Sequence, residues 1–152
     1  MNLRILILLI ISLVITACAT SGTTSFVAKE ITQVDAEILT NDIISYLEKP
    51  LPPASTTLIL EAPSQKQGQA DVLTALLIEK LRAHGYGVTE IKAKTDSAQT
   101  EEKGTTLRYL AFPFRNGIVL RLQYEQNEAS RYYPRDTAGS LVTEHPFTVR
   151  TE

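Results

Sequence analysis

Apolar residues recur at three- and four-residue steps in two stretches of the chain. The first stretch predicts a helix from about Lys29 to Glu48, and its apolar positions begin just before it, at Val27, Ile31, Val34, Ile38, Leu39, Ile43, Tyr46 and Leu47. The second is a stripe formed by Val72, Leu73, Leu76, Leu77, Lys80 and Leu81, in which Lys80 can lie along the apolar residues by its methylenes. This spacing predicts two amphipathic helices. The prolines of "KPLPPAS" end the first helix, and Gly85 lies where the second requires a left-handed cap.

The remaining patterns indicate strands. "STTLILEA" is apolar on both faces and predicts a buried central strand, and "YGVTEI" follows the second helix, so this part favours a strand–helix–strand crossover unit. Further strands are predicted at "TTLRYLAF", "IVLRLQYE", "ASRYYPR" and "PFTVRTE". Asn116-Gly117 predicts a hairpin because both positions favour positive φ, and Lys92 to Gly104 reads as an exposed loop. We expect an α+β domain, with both helices on one face of a mostly antiparallel sheet of about five strands.

The first residues have the three parts of a secretory signal peptide. One charge at Arg4 precedes an apolar run from Ile5 to Ile15. That run is about a dozen residues, whereas a spanning helix needs roughly 20. Small residues close the segment, as expected at a cleavage site. An ordinary signal peptide and a membrane-anchored helix are the competing interpretations.

The end of this signal, Ile15-Thr16-Ala17-Cys18, resembles the lipobox of bacterial lipoproteins. The resemblance implies that Ile15, Thr16 and Ala17 are the signal-peptidase recognition residues, and that Cys18 carries a diacylglycerol and an N-acyl chain such as palmitate. Ala19 stands where aspartate in similar lipoproteins means retention in the inner membrane, so we expect the outer membrane. The predicted organisation is a signal peptide at 1–17, a flexible lipidated tether at 18–28 and one periplasmic domain at 29–152.

Composition and motifs give no support for nucleic-acid binding or catalysis. The formal net charge is −2, and removing the signal takes away Arg4, so the basic face of a nucleic-acid binder is not expected. His84 falls at the end of the second helix and His145 before a proline, and neither has the companion residues of a metal site. Glu101 and Glu102 fall in the exposed loop. We expect no enzyme activity, no metal and no cofactor beyond the acyl chains.

Aromatic residues and arginines cluster near the predicted strand ends. They are Phe112, Phe114, Tyr132 and Tyr133, with Arg115, Arg131 and Arg135 beside them. Aromatic residues and arginine are enriched at protein interfaces, so Phe112, Phe114, Arg131, Tyr132 and Tyr133 are candidates for a protein contact. The alternative places the aromatics in the core.

Several segments together resemble one family. They are the signal ending at Cys18, "LPPASTTLIL" after a first helix, "LIEKLRAHGYGVTE", "TTLRYLAF" and a β-rich carboxyl-terminal part. In this combination and order, over nearly the full chain, they resemble the TrbH family of conjugal-transfer lipoproteins. The resemblance implies a component of the mating-pair-formation apparatus, a type IV secretion system.

In such systems a small lipoprotein attaches the outer-membrane core complex to the inner leaflet of the outer membrane. The resemblance therefore implies a scaffold that faces the periplasm, with core-complex subunits as partners. The alternative is a periplasmic lipoprotein that binds a small ligand or cell-wall glycan on the sheet, unrelated to conjugation. A deep apolar pocket would favour that alternative.

Overall fold

The computed structural model describes residues 24–64, 71–92 and 103–151. The predicted signal peptide, the lipobox, Cys18 and most of the predicted loop lie outside the described residues. The elements, in chain order, are β1 (Phe26–Val27), α1 (Gln33–Leu47), β2 (Thr57–Ala62), α2 (Val72–Ala83), β3 (Gly87–Lys92), β4 (Thr105–Phe114), β5 (Gly117–Tyr124), β6 (Asn127–Pro134) and β7 (Thr148–Thr151).

Helix α1 begins at Gln33, later than the predicted Lys29. The reason is a capping box, in which Thr32 Oγ1 accepts a hydrogen bond from the Asp35 N–H and the Asp35 carboxylate accepts one from the Thr32 N–H, both at 3.1 Å. Ile31 therefore precedes the helix, although it is buried. Val34 was predicted on the apolar face, but its side chain is 63% exposed.

Helix α2 begins at the first residue of the predicted stripe, and its end agrees with the predicted cap at Gly85. Asp71 caps its start, because Oδ1 accepts a hydrogen bond from the Thr74 N–H at 2.7 Å. At its end Gly85 has φ +88°, and the Tyr86 N–H donates to the Leu81 carbonyl at 3.1 Å, which closes a left-handed cap. The predicted stripe is buried at Leu73, Leu77 and Leu81. Lys80 reaches α1, where its Nζ donates to the Asn41 side chain at 2.6 Å.

The α+β class is confirmed, with more strands than predicted. The described residues form a seven-stranded mixed sheet in the order β3-β2-β4-β5-β6-β7, with β1 pairing on β4 beyond the end of β2. Strand β2 is central and pairs in parallel with both β3 and β4, while β4 to β7 pair antiparallel. Strand β1 lies within residues assigned to the tether. Its position shows that the sheet begins before the predicted domain boundary at residue 29.

The hairpin between β4 and β5 is confirmed, but its turn lies one residue earlier than predicted. Phe114 pairs with Gly117, so Arg115 and Asn116 form the turn, and the positive φ of 52° belongs to Arg115. Gly117 lies in the strand instead. A Cβ there would meet the Tyr133 carbonyl oxygen and come within 2.8 Å of the Tyr132 ring. Glycine is required at this position for close packing between β5 and β6.

The two faces of the sheet have different surroundings. In β4, Leu107, Tyr109 and Ala111 are buried in the core together with apolar residues of both helices. The Tyr109 hydroxyl lies 2.6 Å from Thr74 Oγ1, which links the centre of the sheet to α2. The alternate residues of β4, β5 and β6 point to the opposite side. We call that side the outer face.

Candidate functional site

Strand alternation separates the five aromatic and arginine residues that the sequence grouped as one contact. Tyr133 is fully buried in the core, and the Arg131 side chain is only 8% exposed. Phe112 and Phe114 lie on the outer face, as does Tyr132, which the register places beside Val119 opposite Phe112. Neighbours in a strand point to opposite faces, so Tyr132 and Tyr133 cannot belong to one surface. A contact role is therefore open only to the outer-face residues.

Arg131 and Tyr133 converge on a single carboxylate of α1. Arg131 Nη1 donates to both oxygens of Asp42, at 2.8 and 2.6 Å, and the Tyr133 hydroxyl donates to Oδ2 of the same group. The Arg131 guanidinium also lies 5.1 Å from the centroid of the Tyr133 ring and 5.3 Å from that of Phe147. These contacts attach β6 and the segment before β7 to α1. They compensate the buried charge of Arg131, and this is a structural role.

This cluster has no feature of an acid–base centre. Burial and the hydrogen bond to Asp42 raise the pKa of the Tyr133 hydroxyl far above its usual value, so the group stays protonated. Arg131 Nε is buried and has no hydrogen-bond partner among the described residues. The charge of the Arg131 guanidinium is consequently balanced by Asp42 and the two aromatic rings. Removing Asp42 would leave a buried charge without a partner and would destabilise the fold.

A second ion pair holds the end of β6 to the start of α1. Arg135 binds Asp35 through Nη1 and Nη2, each at 2.8 Å, and the Asp35 side chain is 2% exposed. Burial alone would raise the pKa of Asp35, but the hydrogen bonds from Arg135 and Thr32 outweigh it and hold that pKa below its usual value. The same interaction raises the pKa of Arg135. Asp35 thus serves both the helix cap and the attachment of β6.

The outer face carries an apolar patch at one end. Its members are Phe26, Leu110, Phe112, Phe114, Val119 and Tyr132. Phe26 and Phe114 are the most open, at 51% and 49% exposed. The Phe114 and Tyr132 rings meet edge to face with centroids 6.2 Å apart, and Tyr132 also donates to Asn116 Oδ1 at 2.8 Å. The Arg115 guanidinium lies 5.6 Å from the Phe114 ring centroid.

The other end of the outer face is charged. Arg108 Nε lies 2.6 Å from a carboxylate oxygen of Glu61, and Glu128 accepts a hydrogen bond from Gln123 at 3.2 Å. Arg121 approaches Glu128 at 3.6 Å. The groove beside these residues is open, and polar and charged side chains make up most of its lining. The outer face is therefore amphipathic along the direction of its strands.

The remaining sequence candidates lie away from this face. His84 caps the end of α2, where its Nδ1 is 2.9 Å from the Lys80 carbonyl oxygen, and His145 is exposed between β6 and β7. In residues 24–64, 71–92 and 103–151, no group of three or more metal-ligating side chains is arranged to hold an ion. No helix in that part of the chain is long and apolar enough to cross a bilayer.

Sequence reasoning missed three members of the apolar patch. Phe26 was assigned to the tether, while Leu110 and Val119 were treated only as parts of strands. The alternation of buried and less buried residues could have found both, because it selects Val119 in β5 and Leu110 with Phe112 and Phe114 in β4. Phe26 could not be found in this way, because β1 has only two residues and is too short to show an alternating pattern.

The family comparison agrees with the resemblance drawn from the sequence. The model of the family described as "Conjugal transfer protein TrbH" matches residues 18–152. No curated protein and no solved structure shows significant similarity to the chain. Because the match runs from the candidate lipidation residue through every element of the domain, the chain belongs to the TrbH family of conjugal transfer proteins.

Proposed function

We propose that this conjugal transfer component is a structural lipoprotein of the outer membrane. Acyl chains on Cys18 hold it to the inner leaflet, and its domain docks on core-complex subunits of the type IV secretion channel. The observation that carries the proposal is the family match over residues 18–152. Its starting point coincides with the cysteine that ends the lipobox-like sequence Ile15-Thr16-Ala17-Cys18.

The proposed anchor sets the working conditions of the domain. One acyl chain gives only marginal membrane binding, at about 0.8 kcal/mol per buried methylene, whereas several chains make attachment effectively permanent. A domain confined to the membrane surface meets its partners at a high effective concentration. Modest contacts are then sufficient for assembly, in keeping with a scaffold.

The edges of the sheet supply a docking mode that needs no binding pocket. Strand β7, Thr148–Thr151, is exposed along its whole length and pairs only with β6 among the described residues. Its outer side offers backbone N–H and C=O groups to a strand of a partner subunit, as in β-strand addition. Three of the four side chains of β7 are polar, with Val149 the exception, and this composition is compatible with an edge that stays in solution until its partner is present.

The anchoring part of the proposal is tested by changing the attachment residue. Cys18→Ser should leave a folded domain that no longer fractionates with membranes and does not restore plasmid transfer in a deletion strain. Thr20→Ser, close by in the same segment, is the matched control and should behave like the unchanged protein. Full transfer by Cys18→Ser, or mass spectrometry showing an unmodified Cys18, would contradict the anchoring role.

The choice of membrane is tested separately. Ala19→Asp keeps the acylated cysteine but introduces the residue associated with inner-membrane retention. We expect this variant to carry lipid, to fractionate with the inner membrane and to lose transfer. Normal transfer from the inner membrane would refute the requirement for the outer membrane while leaving lipidation intact.

A further inference from the structure

We propose that the apolar patch of the outer face rests on the phospholipid surface in which Cys18 is anchored. The inference deepens the proposed function and rests on its lipid anchor. It assigns a partner to a surface that the core does not use. The partner is the boundary between head groups and acyl chains of the bilayer, and the contact residues are led by Phe26 and Phe114.

The first argument is the length of chain between the anchor and the sheet. Ser25 is buried, and its Oγ accepts a hydrogen bond from the Tyr109 N–H at 3.1 Å, so the chain is attached to the sheet at this point. Seven peptide steps separate Cys18 from Ser25, and at ~3.5 Å per residue they span at most about 25 Å. A domain of this size has a radius of gyration of about 14 Å, so this reach is smaller than its diameter.

The second argument is where the chain enters. Phe26 follows Ser25 directly and pairs with Leu110, halfway along β4, so the entry point is beside the apolar patch and not at the far side of the domain. The charged end of the outer face, with Glu61 and Arg108, begins on the other side of that entry point. A short tether at this position keeps both ends of the outer face within reach of the bilayer, and the chemistry of the two ends decides which of them contacts it.

The third argument is the chemistry of the patch. Phenylalanine and tyrosine side chains favour the interfacial region, with apolar rings among the acyl chains and polar tips among the head groups. Phe114 and Tyr132 form such a pair, with the Tyr132 hydroxyl on its polar side. Arg115, exposed beside Phe114, adds a cation that anionic head groups attract. The charged end of the same face stays in water.

The test uses the full, acylated protein reconstituted in phosphatidylethanolamine–phosphatidylglycerol vesicles with brominated acyl chains. The chain contains no tryptophan, so each introduced indole is a unique reporter. Phe114→Trp places one in the patch, and Val34→Trp, at a side chain 63% exposed on α1, is the matched control. We expect the bromolipid to quench Phe114→Trp several-fold more strongly. Adding Phe26→Glu should reduce this quenching while flotation with vesicles is unchanged.

The outcomes separate this inference from the anchor on which it rests. If neither reporter protein floats with vesicles, anchoring at Cys18 is refuted, and the inference falls with it. If both float and are quenched equally, the anchor stands and the inference alone is overturned. A blue-shifted, unquenched indole in Phe114→Trp would mean that a second copy or another protein covers the patch, which also overturns it.

Discussion

The contact between α1 and β6 depends on the buried charge of Arg131, which is paired with Asp42. Asp42→Asn keeps the shape of the side chain but removes the negative charge, leaving the buried Arg131 guanidinium uncompensated. Removing one member of a buried ion pair costs about 3–5 kcal/mol. Asp42 is 18% exposed, and asparagine still accepts one hydrogen bond, so we expect a loss of about 3 kcal/mol.

This loss is a large part of the stability of a small domain, since free energies of unfolding are about 5–15 kcal/mol. Urea unfolding of the detergent-solubilised full chain, followed by far-ultraviolet circular dichroism, measures it directly. With an m value of about 2 kcal/mol/M, the midpoint should fall by roughly 1.5 M. Glu61→Gln, which breaks the more exposed pair with Arg108, is the control and should cost ~0.2–1 kcal/mol.

The opposite partner provides a second measurement. Arg131→Met removes the cation and leaves Asp42 with its Tyr133 hydrogen bond and some access to water, so it should cost less than Asp42→Asn. Combining the two changes should recover part of the loss, because the buried charge is then gone. An Asp42→Asn variant no less stable than Glu61→Gln, or fully additive losses, would refute the view that charge compensation holds this contact.

Two further predictions concern Gly117 and Asp35. Gly117→Ala should lower the free energy of unfolding by about 3 kcal/mol, because the added Cβ overlaps the Tyr133 carbonyl oxygen. The control, Gly139→Ala, is strained by φ +86° but has no atom within 4 Å of the added Cβ, and should cost about 1 kcal/mol. Equal urea midpoints for the two variants would contradict the close approach at Gly117. Asp35 has a lowered folded-state pKa, so its contribution to stability is present above its unfolded pKa of about 3.9 and is lost as the pH falls below that value. Asp35→Asn should flatten the pH dependence of the unfolding midpoint between about pH 5 and pH 2, and an unchanged profile would show that the pair with Arg135 is not responsible.

The elements that sequence patterns predicted well are those stabilised by local chemistry and a continuous apolar face. Helix α2 has its apolar stripe and its terminal glycine within one short stretch, so each signal supports the other. Strand β2 was identified as central because it is apolar on both faces. The start of α1 was missed, although the capping box is visible as a threonine three residues before an aspartate. The helical spacing of Val27 and Ile31 masked it.

Strand β1 could not be predicted, since its two residues are fixed by pairing with β4, more than eighty positions later in the chain. Such a long-range contact leaves no periodic pattern in either partner. The faces of the candidate contact residues, in contrast, could be separated from a local pattern. Tyr132 and Tyr133 are adjacent in a predicted strand, so alternation alone was enough to assign them to different faces. Which of the two faces the core follows from the register of β6, in which Tyr133 pairs with the buried Ile118.

Strand β1 also changes what the proposed anchor can do. With the tether ending at residue 28, as the sequence indicated, an extended chain from Cys18 would reach about 35 Å, whereas attachment at Ser25 limits it to about 25 Å. The shorter reach keeps a lipidated domain close to the membrane surface. The helix-covered face of the sheet is committed to the core and to the ion pairs of Asp35 and Asp42, whereas the outer face and the sheet edges are open to partners there. The two-residue strand β1 thus limits how far the domain can move from its proposed anchor.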